Sequence, residues 1–256
     1  MPDRQPALTL RGLTKHFGAT VAVDRLDLDV PRGSFYGLVG PNGAGKTTTL
    51  SMATGLLRPD AGLVSVLGID VWSDPVGAKA RIGVLPDGLR VFDRLTGRQL
   101  VTYAGLLRGM DRALVAQRVD ELLVALGLTE ASEKLVIDYS AGMTKKVTLA
   151  CALVHAPRLL VLDEPFEAVD PVSARTIRSI LEDFAGSGGT VVLSSHVMDL
   201  VERICTDVAI IVDGRVRAAG PVELVRAGGT LEDRFLDVVG GSTDVRGLAW
   251  LRTSSD

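Results

Sequence analysis

The 256-residue chain has few of the groups that mark secreted or membrane-embedded proteins. It has two cysteines, Cys151 and Cys205, in apolar runs typical of helices, so we expect buried thiols in a reducing compartment rather than a disulfide. Residues 1–6 lack the apolar core of a signal peptide, and no apolar run is long enough to span a membrane. If the protein serves a membrane, we expect it to act from outside the bilayer.

A strong positive charge is also missing. The formal net charge is -3, so bulk electrostatics does not favour a nucleic-acid partner, and we expect none. The hydrophobic content of 46% suits a folded α/β protein. No internal repeat is visible in the sequence, so we expect the chain to contain one copy of its functional unit rather than two.

The segment Gly40–Thr48 fits the P-loop pattern, in which two glycines bracket four residues and Lys-Thr follows. Phe35–Val39 before it is typical of a buried strand, and Thr47–Gly55 after it is typical of a helix. Glycines let backbone N–H groups point at a phosphate chain, and the helix N-terminus adds partial positive charge. We expect the Thr47 hydroxyl to ligate Mg²⁺ and the whole loop to bind nucleotide. The predicted contacts are Asn42, Gly43, Ala44, Gly45, Lys46, Thr47 and Thr48.

The apolar run Leu159–Leu162 predicts a strand covered on both faces, and two carboxylates follow it. In open α/β sheets ligands bind beyond the carboxyl ends of the strands. Asp163 is therefore expected to hold Mg²⁺, and Glu164 to orient or deprotonate a water. A charged pair that only closes a strand is the alternative, which the upstream P-loop disfavours.

Two further segments have weaker signals. His196 follows the predicted strand Thr190–Leu193, where a histidine can contact a terminal phosphate or the water, although lone histidines are often structural. Ser140 precedes a predicted helix and can form a second phosphate cradle with its N–H groups. The residues alone favour a plain helix cap at Ser140.

Taken in order, these segments resemble the ATP-binding subunit of an ABC transporter, of the exporter or ABC-2-like type, from about residue 7 to about 225. Gly40–Thr48 resembles Walker A, Leu159–Glu164 Walker B with the catalytic glutamate, and Tyr139–Met143 the signature loop. The resemblance implies ATP and Mg²⁺ as ligands. It also implies that the remaining motif positions contact nucleotide or metal. These positions are Phe17, which would stack on adenine, His196 as the switch histidine, Ser140 and Gly142 in the signature loop, Asp170 in the D-loop, and Asp87 at the Q-loop position.

The fold expected from the patterns and the resemblance is α/β, a P-loop NTPase core with an antiparallel β subdomain and a helical insert. We assign residues 1–239 to one domain, with the core and β lobe in 1–95 and 158–239. The helical subdomain is expected at 96–157, and 240–256 is expected to be a mobile tail. Thr96 and Gln99 form a predicted capping box, and Asp111 is expected to cap a second helix.

The resemblance implies that two cassettes, identical or paralogous, pair head to tail and close ATP between them. Integral-membrane transporter subunits are the implied partners, and the implied location is cytoplasmic, peripheral on the inner face of the cell membrane. Two alternatives stay open. The first is a soluble ABC-type ATPase acting on ribosomes or DNA, which usually has two cassettes or long coiled coils. The second is a P-loop GTPase or kinase, and a GTPase usually has an Asn-Lys-x-Asp motif. The sequence has none of these features.

Four positions depart from the family pattern. Asp87 stands where the family has glutamine, Ala141 where it has glycine, Met143 where it has glutamine, and Phe17 where it has tyrosine. If position 141 needs a positive φ, alanine there is strained by roughly 1 kcal/mol. We therefore expect slower hydrolysis than in a consensus cassette, on the basis of Asp87 and Ala141.

Overall fold

The computed structural model of the protein describes residues 5–88 and 92–240. The predicted tail at 240–256 lies outside the described residues, apart from Gly240. Among the described residues, no helix is both long and apolar enough to cross a membrane.

The strands of the described part of the chain form two sheets. The first has the order β2-β1-β4-β5, and its pairs are antiparallel. The second has the order β10-β9-β3-β8-β7-β6, parallel except for the hairpin β9–β10. In chain order the strands are β1 (Pro6–Phe17), β2 (Thr20–Pro31), β3 (Phe35–Val39), β4 (Ala61–Val66), β5 (Ile69–Asp70), β6 (Ile82–Leu85), β7 (Leu159–Leu162), β8 (Thr190–Ser195), β9 (Asp207–Val212) and β10 (Arg215–Pro221).

Helices lie between the strands of the second sheet, and the three that separate β6 from β7 fall in the predicted helical insert. The helices are α1 (Lys46–Ala53), α2 (Pro75–Lys79), α3 (Gly97–Leu107), α4 (Arg112–Ala125), α5 (Ala141–Leu153), α6 (Pro171–Gly186), α7 (Met198–Ile204), α8 (Val222–Val225) and α9 (Leu231–Val239), with single 3₁₀ turns at Thr129–Ala131 and Val136–Asp138. The sequence did not predict β5, α2 or α8, because segments this short show no periodicity.

The helix starts follow the predicted capping chemistry. The Thr96 side chain accepts from the Gln99 backbone and the Gln99 side chain from the Thr96 backbone, so the capping box at α3 is confirmed. Asp111 caps α4 through the backbone N–H groups of Ala113 and Leu114. These side chains satisfy N–H groups that a helix start leaves without a partner, which fixes where each helix begins.

Parallel strand pairing brings the candidate motifs to one edge. β3, β7 and β8 are buried along their whole length, as expected for strands covered on both faces. Val39 pairs with Ser195, and Leu162 pairs with Leu193, so these strands end side by side. The P-loop, the Asp163-Glu164 pair and His196 therefore leave the sheet at neighbouring points of the same edge.

Candidate nucleotide site

The P-loop wraps the N-terminus of α1, and glycine is required where it turns. Gly45 has φ of 96°, and a Cβ at this residue would lie 2.3 Å from the Ala22 carbonyl oxygen. The loop is held by backbone bonds from Ala44 N to Pro41 O at 3.1 Å and from Gly214 N to Ala44 O at 3.0 Å. This path presents the N–H groups of a helix start to an anion, which the predicted phosphate cradle needs.

Lys46 is the first residue of α1 and is only 7% exposed. Its Nζ donates to the carbonyl oxygens of Gly40 at 2.7 Å and Pro41 at 3.2 Å. Burial lowers the pKa of Lys46, while the negative charges of Glu164 and Asp163 act in the opposite direction. Desolvation disfavours a buried ammonium, so a further anion beside Lys46 would stabilise its charged form.

A cleft of about 320 Å³ opens above the P-loop and brings most of the predicted residues together. The structure adds Ala22 and Glu167 to the predicted set, and no sequence signal had marked these two. The lining consists of Ala22, Asn42, Gly43, Ala44, Gly45, Lys46, Thr47, Thr48, Asp87, Glu164, Glu167 and His196. The cleft therefore combines backbone donors, one ammonium, carboxylates and an imidazole, a set suited to a phosphate chain and a water.

Glu164 has an uncommon backbone conformation. Its φ is 45°, in the left-handed region that costs a non-glycine residue about 1–2 kcal/mol. Its N–H donates to Ser194 Oγ at 2.9 Å, and its carbonyl accepts from Lys145 Nζ at 2.8 Å. The carboxylate is 3.1 Å from His196 Nδ1, with the Glu164 side chain 14% exposed. These contacts hold an acidic group in the cleft beside the predicted switch histidine.

Asp163 lies behind this cleft rather than in its lining. It is 4% exposed, and its Oδ1 accepts from Ser194 Oγ, which is itself fully buried. Ser194 thus bridges Asp163 and the Glu164 backbone, a role that sequence analysis missed. The only available sequence signal was the pair Ser194-Ser195 at the end of a strand whose centre is apolar.

Asp87 follows β6 at the same sheet edge, and its carboxylate is 3.5 Å from Lys145 Nζ. Lys145 belongs to α5, so this ion pair joins the core to the helical insert. The strain expected at Ala141 is not found. Ala141 is the first residue of α5 and is not among the described residues with positive φ, because the first position of a helix takes helical dihedrals that alanine favours. Slower hydrolysis stays a prediction that rests on Asp87 alone.

Ser140, Gly142 and Asp170 form a separate group. Ser140 caps α5 by accepting from Met143 N at 3.3 Å, as the residues alone favoured. Asp170 caps α6, and a Cβ on Gly142 would lie 2.8 Å from its Oδ2. These three residues are not part of the described lining of the cleft that contains Lys46.

Phe17 ends β1 and is 52% exposed, outside the described cleft lining. Lys15 Nζ lies 5.8 Å from the centre of its ring and 2.8 Å from an Asp60 oxygen. Asp60 also accepts from His16 N at 2.7 Å, so the end of β1 is fixed to the residue before β4. An exposed aromatic ring on a fixed strand end suits stacking on a base.

The fold and the cleft define a P-loop nucleotide-binding protein. Comparison with known proteins then identifies the family, since the family model described as "ABC transporter" matches residues 23–167. The chain is 40% identical over 214 residues to the daunorubicin/doxorubicin resistance ATP-binding protein DrrA of Streptomyces peucetius. That match covers 84% of this chain and 65% of DrrA, so the chain spans slightly less than two thirds of that relative's length.

The chain is also 34% identical over 229 residues to the ABC transporter ATP-binding protein NatA of Bacillus subtilis, covering 89% of this chain and 92% of NatA. Among solved structures it is similar to an ATP-binding subunit of an ABC transporter, with a TM-score of 0.84 and 26% identity over 91% of this chain and 99% of the other. The cassette MJ0796, solved as a dimer with ADP and Pi, has the same fold, with a TM-score of 0.77 and 22% identity over 84% of this chain and 98% of the other.

The chain therefore belongs to the ABC transporter family, and the relatives named here are ATP-binding proteins of that family. The resemblance and the α/β P-loop fold predicted from the sequence are confirmed. Among the similar solved structures, cbiO1 of Clostridium perfringens is part of the ABC transporter complex cbiONQ, and MJ0796 was solved as a dimer.

Proposed function

We propose that this chain powers export across a membrane by hydrolysing ATP for separate integral-membrane subunits. The observation that carries the proposal is the single cleft that unites the P-loop, Lys46, Glu164 and His196. Relatives named for drug resistance and for ABC transport support it, among them DrrA and NatA.

The residues take distinct roles toward ATP. The Asn42–Thr48 loop and the start of α1 bind the phosphates. When ATP binds, Lys46 Nζ donates to phosphate oxygens in place of the loop carbonyl oxygens that it contacts without nucleotide. Glu164 accepts a proton from, or orients, the attacking water, since its carboxylate faces the cleft. His196, 3.1 Å from that carboxylate, holds its orientation and contacts the terminal phosphate. Phe17 stacks on adenine.

The oxygen groups of the cleft fit Mg²⁺. Thr47 and Asp87 line it, and the buried Asp163 lies behind it. The described residues contain no cluster of three or more His, Cys, Asp or Glu that could hold a metal. Mg²⁺ usually keeps several waters and takes one or two carboxylates together with substrate phosphates, so it needs few protein ligands. When bound, the ion would neutralise charge that develops on those phosphates.

A second cassette completes the site. Ser140 and Gly142 lie at the start of α5 and do not line the described cleft of their own chain. Ser140 is exposed, so it is accessible to the nucleotide of another subunit. We assign Ser140, Gly142 and Asp170 to contacts across a head-to-tail dimer, with an identical or paralogous partner.

A surface for the membrane subunits lies on α3 of the helical insert and on the segment just before it. Phe92 and Tyr103 form an edge-to-face pair with ring centres 5.5 Å apart, yet they are 61% and 41% exposed. Leu107, one helical turn after Tyr103, is 67% exposed. Exposed apolar groups that cluster in this way mark interaction sites. We place the chain on the inner face of the membrane with this surface against its partners.

The test of the proposed chemistry is the Glu164→Gln variant. It should bind ATP with wild-type affinity, lose ATP turnover by at least about 10²-fold because the base is gone, and accumulate as a dimer with ATP. Turnover is measured by phosphate release and the dimer by gel filtration.

Lys46→Ala is the matched comparison, since it should lose nucleotide binding itself. A Glu164→Gln variant that still hydrolyses ATP and stays monomeric would show that the Glu164 role is wrong. Isolation of the full chain from its native membrane with subunits attached tests the partner assignment.

A further inference from the structure

Lys145 lies where the helical insert meets the proposed catalytic residue. It is on α5, one turn after Gly142, and its side chain is 18% exposed. α5 packs against β6 in the core and against α3 of the insert, so it belongs to both regions. The Lys145 side chain extends from this helix toward the segment after β7.

The ammonium of Lys145 contacts two groups of the cleft region. Its Nζ donates to the Glu164 carbonyl at 2.8 Å and lies 3.5 Å from an Asp87 carboxylate oxygen. At this distance the Asp87 carboxylate attracts the Lys145 ammonium and orients it. The Glu164 carbonyl also accepts from Glu167 N at 3.2 Å, which closes a turn around the same oxygen.

The Glu164 backbone needs such support because its φ of 45° is unfavourable for glutamate. Conformations of this kind persist only when the surroundings hold them. Ser194 Oγ holds the Glu164 N–H at 2.9 Å, and Lys145 holds the carbonyl on the other side of the same residue. The direction of the Glu164 side chain follows from this backbone, so the two contacts determine where its carboxylate points.

We propose that Lys145 is a positioning residue for ATP hydrolysis, which fixes the Glu164 carboxylate by holding its backbone carbonyl and is itself held by Asp87. This inference rests on the proposed role of Glu164. It also links the start of α5, where the second cassette would bind, to the catalytic carboxylate of the same chain.

The test is steady-state ATPase kinetics of the full chain with Lys145→Met, which keeps the apolar stem and removes the charge. Misplacing a catalytic group by about 1 Å can reduce the rate by up to about 10²-fold, so we expect kcat to fall about tenfold. The KM for ATP should stay within about twofold, because Lys145 is not among the described residues that line the nucleotide cleft. Lys145→Arg should restore most of the rate, since a guanidinium can also donate to the carbonyl.

Lys134→Met is the matched control, because Lys134 is an exposed lysine of the same insert, and it should leave kcat unchanged. Thermal unfolding verifies that each variant is folded. If Lys145→Met no longer unfolds cooperatively, Lys145→Gln is used in its place. The glutamine side chain is shorter than lysine and uncharged, so it should not restore the contact with the Glu164 carbonyl.

Glu164→Gln in the same assay separates the two hypotheses. Activity in Glu164→Gln would contradict the proposed function. An inactive Glu164→Gln beside a Lys145→Met variant with wild-type kcat would overturn the Lys145 proposal alone. In the Glu164→Gln background, Lys145→Met should reduce the residual rate no further, and a further tenfold loss there would mean that Lys145 acts independently of Glu164.

Discussion

Ser194 is the buried hydroxyl on which both acidic residues after β7 depend. It is fully buried and makes two hydrogen bonds, one donated to Asp163 Oδ1 and one accepted from Glu164 N. Ser194→Ala would leave a carboxylate that is 4% exposed without this donor, and a backbone N–H without its acceptor. Both groups would lose their partners in a place that water does not readily reach.

The size of the effect follows from these two bonds. A hydrogen bond to a charged group contributes about 1.5–3 kcal/mol, and a buried N–H without a partner costs about 1–3 kcal/mol. Because the site can relax, we expect the free energy of unfolding to fall by about 3 kcal/mol. At roughly 2–4 °C per kcal/mol for a chain of this size, that lowers the thermal midpoint by about 6–12 °C. ATP turnover should fall as well, since the Glu164 backbone is released.

The assay is urea and thermal unfolding of the nucleotide-free protein, which avoids stabilisation by bound ATP. Ser195→Ala is the control, because Ser195 is 3% exposed on the same strand and its Oγ accepts one neutral bond from Val197 N at 3.0 Å. That change should cost about 1 kcal/mol. If Ser194→Ala is no more destabilising than Ser195→Ala, the bridging role of Ser194 is refuted.

Two further predictions concern packing and pH. Gly142→Ala would place a Cβ 2.8 Å from the Asp170 carboxylate that caps α6, so we expect urea unfolding to show about 1–3 kcal/mol of destabilisation. Ala141→Gly, at the exposed neighbouring position, is the control. Wild-type stability in Gly142→Ala would contradict the contact. Burial, followed by the charge of Arg108, lowers the pKa of His155 from 6.5 to about 4. The unfolded chain therefore takes up this proton first, and stability should fall between about pH 6.5 and 4 by at most about 1.4 kcal/mol per pH unit. His155→Gln should flatten that part of the urea-unfolding profile against pH, and an unchanged profile would refute the assignment.

Much of the nucleotide site could be predicted because its parts are continuous in sequence. The P-loop, the carboxylates after β7 and the histidine after β8 each follow a strand, and parallel strands bring their carboxyl ends to one edge. Local chemistry also fixed the helix starts at Thr96, Asp111 and Asp170, where a side chain meets the N–H groups of its own helix.

The contacts that hold Glu164 could not be predicted in this way. Lys145 is 19 residues from Glu164, whose carbonyl it contacts, and Ser194 is 31 residues from Asp163, whose carboxylate it contacts. These contacts form only because α5 packs against β6 and β8 pairs with β7. The conformation of Ala141 was likewise decided by its place in α5, not by its identity. The amino-acid sequence by itself determined the family, the fold and most of the groups that line the candidate nucleotide cleft. Only the tertiary structure decided how those groups are oriented, because orientation depends on hydrogen bonds between elements that are distant along the chain.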